Sequence, residues 1–297
     1  MLKTLVACLS KERADFLELN NGLTLNIKCN SEKLLFVERT DSQLIKYKEL
    51  ADKYAWQLIE IGPKLFFNFT CDYIINYAYE NGYDNLLLFD DDLELYKLAN
   101  NAINFKNYNY NYDINDLINI TAILLCEQIP YATVPYAFAR INMQNLIDFN
   151  KMITQAYFIH VKTFMHNKLF FTCEEVMWHS CDIVLLLDVL LNGFITARIN
   201  LYTTGNNVLF SNPGGSSIYR TEKIIDDSIH ALKHKYTDYI SNIDTHNKFK
   251  TYTKKAFNKE KFKARFGIDA NVFAKNKLIE IEDFYNKELL NNEHYGK

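Results

Sequence analysis

The sequence predicts an α/β fold, a mainly parallel sheet flanked by helices, and three observations carry that expectation. Short apolar runs, TLVAC (4–8), LLFVE (34–38), QLIEI (57–61) and NLLLF (85–89), recur at intervals wide enough to hold a helix. Segments of helical period lie between them. Glycine and proline number only nine and four in 297 residues, which leaves little chain for long flexible linkers.

TLVAC and LLFVE read as buried strands because each is a continuous apolar run of strand length. Between them, LTLNIKC (23–29) alternates apolar and polar residues and predicts a short extra strand. DSQLIKYKELADKYA (41–55) opens on an N-cap candidate, Asp41, and brings Leu44, Tyr47 and Leu50/Ala51 to one helical face. QLIEI is the next strand, FTCDYIINYAYENG (69–82) a helix closed by Gly82, and NLLLF a strand that runs into three aspartates. A β-α-β-α-β succession implies parallel pairing under a cover of helices.

Further on, NFKNYNYNYD (104–113) reads as a loop over the sheet edge and INDLINITAILLCEQ (114–128) as a helix. QAYFIHVKTFM (155–165) reads as a strand. CDIVLLLDVLLNG (181–193) is apolar on most sides, hence a buried helix, with Asp182 capping its first turn and Gly193 as its stop. FITARINLY (194–202) predicts a strand and SNPGGSSIYR (211–220) a turn-rich loop. Helical, increasingly basic segments follow. The chain thus divides into an α/β domain over 1–220 and a helical, basic extension over 221–297.

Composition excludes several classes. Six scattered cysteines with no C-x-x-C pair do not make a disulfide scaffold and indicate a reduced compartment. The opening MLKTLVACLSKERADF reaches Lys11, Glu12 and Arg13 too soon for a secretory leader, and no stretch approaches the roughly 20 apolar residues of a membrane span. The expectation is a soluble, cytoplasmic protein without a membrane partner. Charge is uneven: from Arg220 onward there are 16 basic and 12 acidic residues, and KFKTYTKKAFNKEKFKAR (248–265) alone has eight against one. That run points to a polyanionic partner, with its aromatics either stacking on bases or entering the core.

Asp90, Asp91 and Asp92 are the chemical centre of the sequence. Adjacent carboxylates repel, so they lie in a solvated turn or hold a cation, Mn²⁺ or Mg²⁺, whose octahedron a diphosphate completes. Parallel sheets bind ligands beyond the carboxyl ends of their strands. Ser10, Lys11 and Arg13 follow the first strand and Glu38 ends the second, so polar residues converge there. Gly214 and Gly215 allow a close approach of backbone to ligand, and Arg220 adds a donor, although no Walker motif is present. Asp182 is either a plain helix cap or a general base. His230 and His234, four apart, lack the Glu of a zinc-protease motif.

Taken in order, SKERAD, FVERTDSQLIKY, LLLFDDDLEL, CDIVLLLDVLLNG and NPGGSSIYR resemble the GT-A-type glycosyltransferases of phages that accompany TET/JBP-like dioxygenases and modify hydroxymethylpyrimidines in DNA. The resemblance implies a GT-A-like, Rossmann-like fold, a nucleotide-sugar donor such as a UDP-sugar, and a divalent metal. It gives Asp90 and Asp92 the ribose and metal roles with Asp91 in support, and Asp182 the role of base. Ser10, Lys11 and Arg13 would lie by the nucleotide, and Gly214, Gly215 and Arg220 by the diphosphate. The chain departs from the family at Cys181, where Glu is common, and at Asn68 and Thr70, where an Arg opens the helix. Other readings are a non-DNA acceptor, an NDP-sugar nucleotidyltransferase, and a non-catalytic nucleic-acid-binding protein. SKERADF lacks the glycine that the nucleotidyltransferase loop requires.

Overall fold

Alternate residues of the central strands face two separate cores, and this alternation sets the architecture. A computed structural model describes residues 2–63, 67–98, 108–135, 145–151, 156–172, 180–205, 221–244, 248–251 and 256–295. The first half runs β1 (Thr4–Ser10), α1 (Ala14–Leu19), β2 (Glu32–Glu38), α2 (Leu44–Lys53), β3 (Gln57–Ile61), α3 (Phe67–Glu80) and β4 (Asn85–Asp90). Then come β5 (Glu94–Leu98), β6 (Tyr108–Tyr110), α4 (Asn115–Leu124), β7 (Tyr131–Thr133), β8 (Ile147–Phe149), β9 (Ala156–His160), α5 (Val161–Asn167), α6 (Cys181–Leu191), β10 (Thr196–Ile199) and β11 (Tyr202–Gly205). The C-terminal part holds α7 (Glu222–Lys235), β12 (Ile240–Asp244), β13 (Lys248–Thr251), α8 (Lys259–Phe266) and α9 (Ala270–Tyr295).

Eight strands form one sheet in the order β3-β2-β1-β4-β9-β7-β10-β8. β3, β2, β1 and β4 are mutually parallel, as the sequence predicts, and β7 pairs parallel with β10. β9 runs antiparallel between β4 and β7, and β8 antiparallel on the far edge. Val6, Cys8, Leu35, Val37, Leu87 and Phe89 pack with α2 and α4. Leu5, Ala7, Leu34, Phe36, Leu86 and Leu88 pack with α3, α5 and α6 on the opposite face.

Five expectations change. NFKNYNYNYD, expected as a loop, holds the strand β6 at Tyr108–Tyr110, which pairs with β5. LTLNIKC is a 3₁₀ turn, Leu23–Asn26, followed by one bridge from Lys28 to Asp113, because Gly22 enters with φ +78° and coils the chain. QAYFIHVKTFM is a strand only to His160; α5 then turns the chain back over the sheet. FITARINLY is split between the main sheet (β10) and a three-stranded sheet, β11-β5-β6. The extension is not all helix, since β12 and β13 form an antiparallel hairpin. The extension also packs inward: Phe262, Ile281 and Tyr285 join the α4 side, and Leu232, Tyr236 and Ala256 the α6 side. No helix among the described residues is long and apolar enough to cross a membrane.

Candidate active site

The C-terminal ends of β1, β2 and β4 lie side by side, with Leu9 opposite Asp90 and Ser10 opposite Val37. The strand period then separates the three aspartates. Asp90 continues the Leu86–Leu88 series and so faces the α3/α6 side. Asp91, only 3 % exposed, turns to the other side, where it accepts from the Ser10 hydroxyl and from Arg13 Nη1 at 2.6 Å. Asp92 Oδ2 lies 3.2 Å from the same nitrogen. Burial works against the Arg13 charge, but Asp91 and Asp92 outweigh it and push its pKa up.

Around this pair the backbone is fixed from several sides. Tyr47 on α2 accepts from Arg13 N at 2.9 Å through its phenol oxygen, which also bonds Ser10 Oγ at 2.6 Å. Asp41 is not a helix cap. Its two carboxylate oxygens accept from Glu12 N and Gln43 N, both at 2.8 Å, and hold Glu12 at φ +52°. Lys11 Nζ pairs with Glu38 at 3.1 Å. Thr24 donates to the Asp90 carbonyl at 2.6 Å and accepts from Leu93 N at 3.0 Å, so one hydroxyl clasps both ends of the acidic turn.

The other side of the sheet carries a different set of groups. Asp182 lies in the first turn of α6, whose N-cap is Ser180; it does not itself cap the helix. Burial raises its pKa to about 6, offset in part by the backbone N–H groups of Ile183 and of Asp182 itself. Asp90 lies within the field of Asp182, and burial, Asp92 and Asp91 push its carboxyl well above the ordinary range. Asp90 Oδ1 is buried and has no hydrogen-bond partner. Asp72 on α3 accepts from Phe171 N (2.7 Å), Thr172 N (2.9 Å) and the Thr172 hydroxyl, which anchors the chain shortly before α6.

Among the described residues no three His, Cys, Asp or Glu side chains form a metal site on their own. The carboxylates fit a hard cation completed by ligand oxygens: Asp90 has an unpartnered buried oxygen, and its donor set is all oxygen. Asp90 could hold it through that oxygen, whereas Asp91 is committed to Ser10 and Arg13, and Asp92 would share its carboxylate between a cation and Arg13.

The fold has counterparts among solved structures. A mannosyltransferase from Pyrobaculum calidifontis, solved with GDP-Man and Mn²⁺, superimposes with a TM-score of 0.53 at 8 % identity, over 94 % of this chain and 73 % of that one. Staphylococcus aureus TarS in complex with UDP-GlcNAc superimposes with a TM-score of 0.50 at 9 % identity, over 91 % and 74 %. The fold is that of the GT-A nucleotide-sugar transferases. No protein-family model matches the chain, and no curated protein matches it by sequence.

Of the sequence candidates, Ser10, Lys11, Arg13, Glu38 and Asp90–Asp92 meet at one edge, and Asp182 lies on the Asp90 side. Gly214, Gly215 and Arg220 lie outside the described residues. In 248–265, Phe262 is fully buried and Phe257 packs against the core, so these two rings do not stack on bases. Lys259, Lys261, Lys263 and Arg265 remain on the surface. Sequence reasoning missed Thr24 and Asp72, whose polar contacts join residues 66 to 100 positions apart and leave no local pattern.

Proposed function

We propose that the chain is a metal-dependent glycosyltransferase that moves a sugar from a nucleotide diphosphate, in the first instance a UDP-sugar, to an acceptor hydroxyl. Hydroxymethylated pyrimidines in DNA are the preferred acceptor. The observation that carries the reading is the buried, unpartnered Asp90 Oδ1 at the carboxyl edge of a GT-A sheet, within the field of a second carboxylate, Asp182. The mannosyltransferase with GDP-Man and Mn²⁺ and TarS with UDP-GlcNAc support the donor class, and the former supports the metal. Fold alone does not assign chemistry, so the residues must.

When bound at Asp90 and Asp92, Mn²⁺ or Mg²⁺ supplies positive charge that offsets the diphosphate leaving group. Arg13 keeps Asp91 and Asp92 in place. Lys11 and Glu38 border the nucleotide side. For direct displacement, the acceptor oxygen forms the new bond to the anomeric carbon, and the diphosphate leaves with the electron pair of the broken C–O bond. Asp182 takes the acceptor proton, and a carboxyl pKa near 6 suits a base at neutral pH. The exposed lysines of α8, with the neighbouring basic residues, supply a sequence-independent contact to the phosphates of DNA.

The test is thermal denaturation with UDP-GlcNAc, UDP-glucose and GDP-mannose, each with and without MnCl₂. A donor at a hundredfold excess over its Kd should raise Tm by on the order of 5 °C, and only with metal present. No rise with any pair would sink the reading. For the acceptor, binding to hydroxymethylated duplex DNA should weaken steeply with salt.

A further inference from the structure

Three further buried polar side chains lack partners, two of them close to Asp182: Ser180 two residues before it and Tyr131 within its field. Asn68, 4 % exposed in the first turn of α3, leaves Oδ1 unbonded; Tyr131, fully buried on β7, leaves its hydroxyl unbonded; Ser180, fully buried before α6, leaves Oγ unbonded. Buried polar groups are costly when unsatisfied, so a fold does not accumulate them without compensation. Thr196, opposite Tyr131 on β10, also leaves its hydroxyl unbonded, while Asn85 at the opposite end of β4, Thr204 on the small sheet and Ser228 on α7 lie elsewhere.

Their placement ties them to the acidic edge. Tyr131 stacks on Tyr157 with ring centroids 6.5 Å apart and planes 10° from parallel. Tyr157 stands opposite Leu88, on the same face as Asp90, and lies 5.0 Å edge-on to Phe171 and 6.1 Å from Phe67, the residue before Asn68. Ser180 immediately precedes the Cys181-Asp182 pair. Burial, and then the Asp182 charge, push the Tyr131 phenol well above its ordinary value, so it remains an O–H donor. A donor hydroxyl, an amide oxygen acceptor and a second hydroxyl beside aromatic rings suit a small polyhydroxylated ligand.

We propose that Asn68, Tyr131 and Ser180 bind the hydroxyls of the transferred sugar and so set which sugar is accepted. This rests on the glycosyltransferase reading above and assigns its sugar-discriminating groups.

Calorimetry in Mn²⁺ tests it on the full chain, with UDP against UDP-GlcNAc and GDP against GDP-mannose. The readout is the ratio of the nucleotide-sugar Kd to the bare nucleotide Kd, which isolates the sugar. Tyr131→Phe, Asn68→Leu and Ser180→Ala should each raise that ratio about three- to tenfold for the accepted donor, leaving the bare nucleotide unchanged. Tyr131→Phe should also keep or raise Tm without ligand, because it deletes a hydroxyl that has no protein partner. An unchanged ratio in all three variants overturns the assignment, as does a fall in Tm on Tyr131→Phe with the ratio intact, which would mark a structural hydroxyl. If the wild type binds neither nucleotide, the glycosyltransferase reading fails first and this inference falls with it.

Discussion

Arg13 Nη1 donates to Asp91 Oδ1 at 2.6 Å beneath the acidic turn, with side chains that are only 12 % and 4 % exposed. A buried ion pair adds little compared with an apolar pair of the same shape, yet breaking one partner leaves an uncompensated charge. Arg13→Met should therefore destabilise the protein by about 3–5 kcal/mol in urea denaturation. The double variant Arg13→Met/Asp91→Leu should recover a large part of that loss. Equal losses in single and double variants would show that Arg13 stabilises through contacts other than Asp91.

Asp90 and Asp92 should separate stability from metal response. In the metal-free protein, burial and the neighbouring carboxylates push the Asp90 pKa up, so its ionised form is held at a cost. Asp90→Asn removes that cost. Tm without metal should rise or stay level, while the Mn²⁺- and donor-dependent rise disappears. Asp92→Asn should also abolish the metal-dependent rise. A variant at either position that kept the full rise would remove that residue from the metal site.

Much of this arrangement was legible from residue order. The β-α-β-α-β half follows from continuous apolar runs separated by amphipathic segments, and ligand convergence follows from parallel pairing. The division of labour within Asp90–Asp92 was not legible, because it depends on which way the chain turns after Phe89 and on a Ser10–Tyr47 contact 37 residues apart. FITARINLY shows the same limit in the fold. Its pattern is uniform, yet Asn200 breaks the strand by donating to Asn145 O and to Asp148, polar anchors that no local period encodes. Phe257 and Phe262 in the basic segment read in sequence as base-stacking or core, and only their packing decides for the core.

Gly193 couples the buried helix α6 to the C-terminal extension. It has φ +76°, and a Cβ there would stand 2.7 Å from Phe262 N and 2.7 Å from Lys261 Cβ. Alanine incurs about 1–2 kcal/mol for the left-handed backbone, and the collision adds to it. Gly193→Ala should lower stability by about 2 kcal/mol or more and loosen α8, seen as faster amide exchange over Lys259–Phe266 than in the wild type. Unchanged exchange there would mean that α8 is held by Phe262 alone.

With Asp182 as the proposed base, the pH dependence of transfer follows from its titration. Its pKa of about 6 in the folded chain lies above the roughly 3.9 of an unfolded aspartate. The folded state therefore holds that proton more tightly. Its contribution to stability is fully present below about pH 4 and is lost as pH rises through about 6. Activity runs the other way, because a general base acts only when ionised, so kcat should rise through a limb near pH 6 and then level. Asp182→Asn should lower kcat by about 10²–10⁴-fold while leaving donor Kd unchanged, and should flatten the limb. At pH 8 the same variant should be more stable than the wild type, on the order of 2 kcal/mol, since it removes an ionised buried carboxylate. A kcat limb that persists in Asp182→Asn would assign the proton to another group, and a loss of donor affinity alone would make Asp182 a binding residue.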